Sequence, residues 1–198
     1  MIYLPETAFD EERFVRDVKR SLERVPNLVV CVSEGINDGN GTFICERSSS
    51  VGVDTFGHKM LTGSGKYLEN LVKERLGVKV RSVELNVSQR CSSAMLSAAD
   101  LNESAAAGAY GVTCALEGAS GKMVAFTRLS DTPYRIGYEL KDVHLICNQE
   151  KTVPLEWITE NGSDVSREFI DYALPLIQGS VNVPEENGLP KFAYRKSR

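Results

Sequence analysis

The side chains best suited to chemistry in this sequence are two arginines that could form an anion site and an acid that could accept hydrogen bonds. Arg81 and Arg90 bracket the segment Ser82-Val83-Glu84-Leu85-Asn86-Val87-Ser88-Gln89. A guanidinium grips phosphate through two parallel charge-assisted hydrogen bonds, and a nearby acid can accept from sugar hydroxyls. Glu34 is the acid best placed for this, because it directly follows the apolar run Leu28-Val29-Val30-Cys31-Val32-Ser33. In open α/β sheets ligands gather beyond the carboxyl ends of the strands, where such a residue would sit. On residue type alone, Glu34 also fits a surface acid before a turn, and the arginines fit two structural cations.

Other chemistry is less well provided for. Gly63-Ser64-Gly65-Lys66 precedes a helical pattern but lacks the full G-x-x-x-x-G-K-[ST] spacing that cradles phosphates. His58 near Asp54 suggests half of a proton relay, yet no serine or cysteine is placed beside it as a nucleophile. The cysteines, Cys31, Cys45, Cys91, Cys114 and Cys147, form no CxxC pair, so free thiols are expected and a zinc site is not. Trp157, Phe169 and Tyr172 read as core or interface residues.

The elements that would position these residues follow from periodicity. Asp10-Glu11-Glu12 opens a helix with Phe14, Val15, Val18, Leu22 and Val25 on one face, closed by Pro26. The run from Leu28 to Ser33 suits a strand buried in a parallel sheet, and Asn37-Asp38-Gly39-Asn40-Gly41 a tight turn. A second helix carries Tyr67, Leu68, Leu71, Val72 and Leu76, with Gly77 as its stop. Lys79 to Asn86 alternates as a strand, with Val80, Ser82, Glu84 and Asn86 opposite Arg81, Val83 and Leu85. An alanine-rich helix is expected over Ser97 to Leu116, and strands over Gly121 to Arg128 and Asp142 to Cys147. Ser163-Asp164 would cap a last helix that Pro175 interrupts. Helices alternating with short apolar strands predict an α/β layer structure with a mainly parallel sheet.

Composition narrows the setting. The 42% hydrophobic and 25% charged content is that of a soluble globular chain, and 198 residues allow one domain of ordinary size or a domain with an extension. A net charge of -4 with no internal basic run argues against nucleic acid, and only Lys191 to Arg198 is locally basic. With no signal peptide and no long apolar span, a cytoplasmic protein that does not enter membranes is expected. Met1-Ile2-Tyr3-Leu4-Pro5 starts the chain on an apolar strand, which suggests a start within a longer protein.

The segment Arg81-Ser82-Val83-Glu84-Leu85-Asn86-Val87-Ser88-Gln89-Arg90-Cys91 resembles the strand-and-turn segment of phosphofructokinases, particularly the group related to pyrophosphate-dependent enzymes. Ile2 to Glu6 with Phe9-Asp10, Val29 to Gly35, Gly118 to Phe126 and Pro175 to Gly179 resemble other parts of the same group. The resemblance implies the Rossmann-like C-terminal portion of a magnesium-dependent 6-phosphofructokinase, over residues 1–180, with 181–198 as an extension. It implies that Glu34 bonds hydroxyls of fructose 6-phosphate and that Arg90 binds its 6-phosphate. Arg81 would reach the same phosphate from a neighbouring subunit of a homo-oligomer. Val87 stands where many members have histidine or tyrosine, so only a backbone contact is expected there. The family's donor-phosphate loop and its catalytic Thr-Ile-Asp-Asn-Asp segment have no counterpart in the sequence. The resemblance therefore implies a partner in the N-terminal half of the same protein, no catalytic residue or metal in this part, and no activity for it alone. The donor would be pyrophosphate or ATP; the alternative is a non-catalytic sugar-phosphate sensor or interaction domain.

Overall fold

Asp10 accepts a hydrogen bond from the Arg13 amide at 2.6 Å and so starts the first helix where the acidic cluster predicts it. In the computed structural model, which describes residues 1–47 and 63–191, that helix is α1 (Glu11–Leu22). It links β1 (Ile2–Tyr3) to β2 (Cys31–Val32), which pair in parallel with Ile2 opposite Cys31 and Tyr3 opposite Val32. Further along lie α2 (Ser64–Leu76), α3 (Ser88–Cys91), α4 (Ala98–Leu116), β3 (Lys122–Asp131), β4 (Tyr134–Asp142) and α5 (Val143–Ile146). α6 (Arg167–Ala173), β5 (Glu185–Glu186) and β6 (Leu189–Pro190) complete the order. The chain divides into two units, one of residues 1–85 with 151–170, the other of 86–150 with 171–198.

The first unit holds the hydrophobic core. Phe14, Val15 and Val18 of α1 are buried against Tyr3, Phe9, Ile36 and Ile44, with Leu68 and Val72 of α2 in the same cluster. The rings of Tyr3, Phe9 and Phe14 meet pairwise at 5.3 Å between centroids, in edge-on and tilted arrangements favoured by their quadrupoles. Burial, with the charge of Asp17, pushes the Tyr3 phenol well above the usual range. Ion pairs tie the helices at the rim: Arg75 of α2 clasps both carboxylate oxygens of Glu12 at 2.7 Å. The returning segment joins this unit through its backbone, the Ile2 amide donating to the Ser163 carbonyl at 2.9 Å. Val153 gives its amide to Glu6 at 2.8 Å.

The second unit is built on α4. Its first amides are satisfied from outside the helix: Ala98 donates to the Gly179 carbonyl and Ala99 to the Gln178 carbonyl. The β3–β4 hairpin lies on α4, with Lys122 opposite Asp142 and Phe126 opposite Tyr138. The small residues of α4 permit this, since a Cβ on Gly111 would sit 3.2 Å from Val124. Tyr138 stacks on Tyr110 at 5.9 Å and donates to the Glu103 carbonyl. Arg128 lies between the faces of Tyr134 and Tyr172, 5.0 and 4.9 Å from their centroids, and donates to the carbonyls of Asp171 and Tyr172.

The α/β layering expected from the sequence is present, with a small parallel pair. The longest ladder, however, is the antiparallel hairpin. Leu28 to Ser33 is not buried on both faces: Leu28, Val30 and Val32 turn inward while Val29 is 72% exposed. Lys79 to Val83 alternates as expected, but Glu84, Leu85 and Asn86 are all exposed and the segment pairs with no strand among the described residues. Asp142 to Cys147 is a helical turn rather than a strand, because Asp142 caps it by accepting the His144 amide at 3.0 Å. The strand is β4, just before it, which periodicity did not pick out. The last helix begins at Arg167, beyond Ser163-Asp164, whose Asp164 side chain takes the Val165 amide instead. Asp54 and His58, and the tail from residue 192, lie outside the described residues. Among the described residues, which include all five cysteines, no disulfide forms.

The turn at Asn37–Gly41 yields a test. Gly39 and Gly41 both have positive φ, +78° and +88°, but a Cβ at Gly39 would lie 2.8 Å from Ala8 Cβ while Gly41 faces open space. Gly41→Ala should cost about 1 kcal/mol from backbone strain alone, and Gly39→Ala roughly 1–2 kcal/mol more. Denaturant midpoints measure both, and Ala8→Gly should return most of the difference.

Candidate functional site

Glu34 is carried where its type suggests. β2 ends at Val32, and Glu34 stands exposed in the turn that follows. Two features lock that turn. The Gly35 amide donates to Ser33 Oγ at 3.3 Å, and Ile36, with no solvent exposure, anchors the chain directly after it. Asn37 spans back to the carbonyl of Pro5 at 3.3 Å and ties the turn to the end of β1.

The start of α2 holds this turn and the arginine-bearing segment together. Ser64, 4% exposed, donates its hydroxyl to the Glu34 carbonyl at 3.4 Å. Gly65 lies against the other segment, since a Cβ there would be 3.4 Å from Ser82 and 3.5 Å from Glu84. One turn on, a Glu69 carboxylate oxygen accepts from the Ser82 amide at 2.8 Å and from its hydroxyl at 2.6 Å, while the other takes Lys66 Nζ at 2.6 Å. The Gly63-Ser64-Gly65-Lys66 sequence is therefore spent on structure: Ser64 on a carbonyl and Lys66 on an acid. The ammonium of Lys66, then the Ser82 hydroxyl and amide, hold the Glu69 carboxyl down to about 2. With its folded value below its unfolded one, Glu69 favours the folded arrangement above the ordinary glutamate range. That contribution fades as pH falls toward 2.

Arg81 follows from the alternation. Ser82 turns inward to Glu69, so Arg81 turns outward and is exposed. Beyond Leu85 comes a turn at Asn86, whose positive φ of 46° suits a residue tolerant of the left-handed region. The turn expected there is one turn of helix, α3. The Val87 carbonyl starts it by accepting from the Arg90 and Cys91 amides at 2.9 and 3.1 Å. That carbonyl is thus engaged inside the helix, and the Val87 side chain is 70% exposed. Arg90 is exposed on α3. Neither the Arg81 nor the Arg90 guanidinium has a hydrogen bond or ion pair among the described residues.

The four residues divide between the units. Glu34 and Arg81 belong to the first, held by one helix start, and Val87 and Arg90 belong to the second. Sequence reading missed Ser64, Glu69 and Ser82, which hold the segments that carry Glu34 and Arg81. The signal for Glu69 was its helical spacing from Lys66. A hollow lined by Arg47, Tyr67, Asn70, Leu71 and Glu74 includes none of the four. Among the described residues no three acidic, histidine or cysteine side chains gather to hold a metal, and no helix is long and apolar enough to cross a membrane.

No protein-family model matches the chain. The pyrophosphate–fructose 6-phosphate 1-phosphotransferase of Methylococcus capsulatus is 36% identical over 192 residues, 97% of this chain and 45% of that protein. The protein of the same name from Halomonas elongata is 34% identical over 193 residues, again 45% of its length. The crystal structure of the pyrophosphate-dependent phosphofructokinase of Marinobacter aquaeolei superposes with a TM-score of 0.77 at 28% identity, over 98% of this chain and 46% of that one. The chain thus spans somewhat under half the length of the curated relatives it matches. Similarity that runs through the whole of it, in sequence and in fold, makes it a member of the phosphofructokinase family.

Proposed function

We propose that this chain is the sugar-phosphate-binding part of a 6-phosphofructokinase, which transfers a phosphoryl group to the 1-hydroxyl of fructose 6-phosphate. The observation that carries this reading is the match over 97% of the chain to a protein named for that transfer. The same name favours pyrophosphate over ATP as donor. Glu34 accepts hydrogen bonds from sugar hydroxyls, and Arg90 binds the 6-phosphate. Arg81 reaches that phosphate in a neighbouring subunit of a homo-oligomer. Two exposed guanidiniums with no partner among the described residues support these roles, because neither is already neutralised. At Val87 the carbonyl is engaged within α3, which leaves the amide as the group for a backbone contact.

Residues 1–180 supply the binding portion, and 181–198 an extension. Such enzymes work with Mg2+, which would neutralise charge on the transferred group. The described side chains form no cluster suited to a divalent cation, so no step is assigned to one here. What this part does is bind and orient the acceptor sugar. A cytoplasmic, glycolytic setting belongs to the same reading.

The partner is the remainder of the same enzyme, and the burial pattern supports this. α4 is apolar on nearly all sides, with Asp100, Glu103 and Asn102 among its few strongly polar residues. Helices of that kind are covered all round. Here only the face of Glu103, Ala107, Tyr110, Gly111 and Cys114 is covered, while Val112 and Leu116 are 62% and 85% exposed. Among the described residues Cys114 is the only buried apolar residue of the second unit. An apolar helix so sparsely covered fits a surface that packs on more chain.

Three measurements follow. In the full-length protein that carries this chain, Arg90→Ala should raise KM for fructose 6-phosphate about ten-fold or more, and Glu34→Gln should raise it less. An unchanged KM for Arg90→Ala overturns its role. The 198-residue chain alone should transfer phosphate from neither pyrophosphate nor ATP; turnover would refute the reading. Val112→Glu with Leu116→Glu should alter the stability of the isolated chain by only about 0.5 kcal/mol. In the full-length protein the pair should cost roughly 2 kcal/mol or more, because both sites are then buried.

A further inference from the structure

We infer that Glu69 is a positioning residue for sugar-phosphate binding, acting through the segment that presents Arg81. The inference rests on the reading of Arg81 as a phosphate ligand. The backbone of residues 78–85 makes no backbone–backbone hydrogen bond among the described residues. With no ladder among the described residues to set its register, side-chain contacts must decide which of its residues face out. Val78 and Val80, packed against the core, set which side of the segment faces inward, and the Glu69 carboxylate fixes that choice at Ser82, beside Arg81. It takes both the amide and the hydroxyl of Ser82, at 2.8 and 2.6 Å, and that amide belongs to the peptide group immediately after Arg81.

Holding Ser82 inward turns its neighbour outward, because successive side chains of an extended chain point to opposite sides. Arg81 and Val83 are exposed and Ser82 is half-buried, in keeping with this. A slip of one residue would send the guanidinium toward α2 and lose the phosphate contact. An acid close to an anion site would ordinarily repel the ligand. Here Lys66 lies 2.6 Å from the second oxygen and offsets its charge. The carboxyl stays ionised through neutral and mildly acidic pH, so the hold on Ser82 is constant where the enzyme would work.

Glu69 touches no substrate in this scheme, so its removal must act only through Arg81. The first measurement is amide exchange in the 198-residue chain. The Ser82 amide should exchange at least about ten-fold more slowly than those of Arg81 and Val83, and Glu69→Ala should abolish that difference. Equal rates in the unaltered chain would overturn the inference. The second is steady-state kinetics of the full-length protein. Glu69→Ala should raise KM for fructose 6-phosphate about five-fold with kcat within about two-fold, and Glu69→Gln, which keeps an acceptor, should raise it less. In an Arg81→Ala background, Glu69→Ala should add nothing further. Additive losses, or a fall in kcat matching the rise in KM, would make Glu69 merely structural and defeat the inference. If Arg81→Ala raises KM and Glu69→Ala does not, the inference alone fails. If Arg81→Ala leaves KM unchanged, the reading of Arg81 fails instead.

Discussion

The packing of α1 on Tyr3 and Phe9 is the contact on which the rest of the first unit depends. It buries three aromatic rings against one another and brings β1 and β2 side by side. That pairing fixes where β2 ends and therefore where Glu34 emerges. The same core seats α2 through Leu68 and Val72, so the polar residues at the start of that helix arrive beside the turn after β2. Ser64 and Glu69 then need only short reaches to hold Glu34 and the Arg81 segment. Hydrophobic burial supplies the stability, and a few hydrogen bonds supply the aim.

Most of the helical framework was legible in the sequence, because its signals are local. Asp10, Gly77 and Ser97 mark helix ends where the structure has them, and the apolar faces of α1 and α2 are those the spacing predicts. The strands were harder. Alternation at Lys79 to Asn86 correctly separates Ser82 from Arg81, yet whether such a segment finds a ladder depends on residues far away in the chain. At Asp142 a local cap overrides an apolar pattern that reads equally as strand. Glu34, Arg81 and Arg90 are candidates singled out by residue type and resemblance. Ser64, Ser82 and Glu69 were not, since their contact joins two elements whose meeting no local pattern encodes.

The two units manage their apolar residues differently. The first buries a continuous cluster in which Ile36 and Ile44 have no exposure at all. The second relies on aromatic stacking and cation–π contact around Tyr138 and Arg128, with many aliphatic side chains left in solvent. Similar composition does not by itself make an equal core; what matters is how many layers are present to cover each face.

The first unit is discontinuous in sequence, since residues 86–150 of the second unit intervene before 151–170 return to it. This orders events on the ribosome. The Ile2 amide finds its acceptor on Ser163, and Glu6 takes the amide of Val153, so neither bond can form until those late residues have been made. At usual elongation speeds the nascent β1 waits roughly ten to thirty seconds for them. During that interval the rings of Tyr3, Phe9 and Phe14 already have their core partners, up to Leu68 and Val72 of α2, to pack against. The segment that opens this chain is therefore among the last parts of the first unit to be completed.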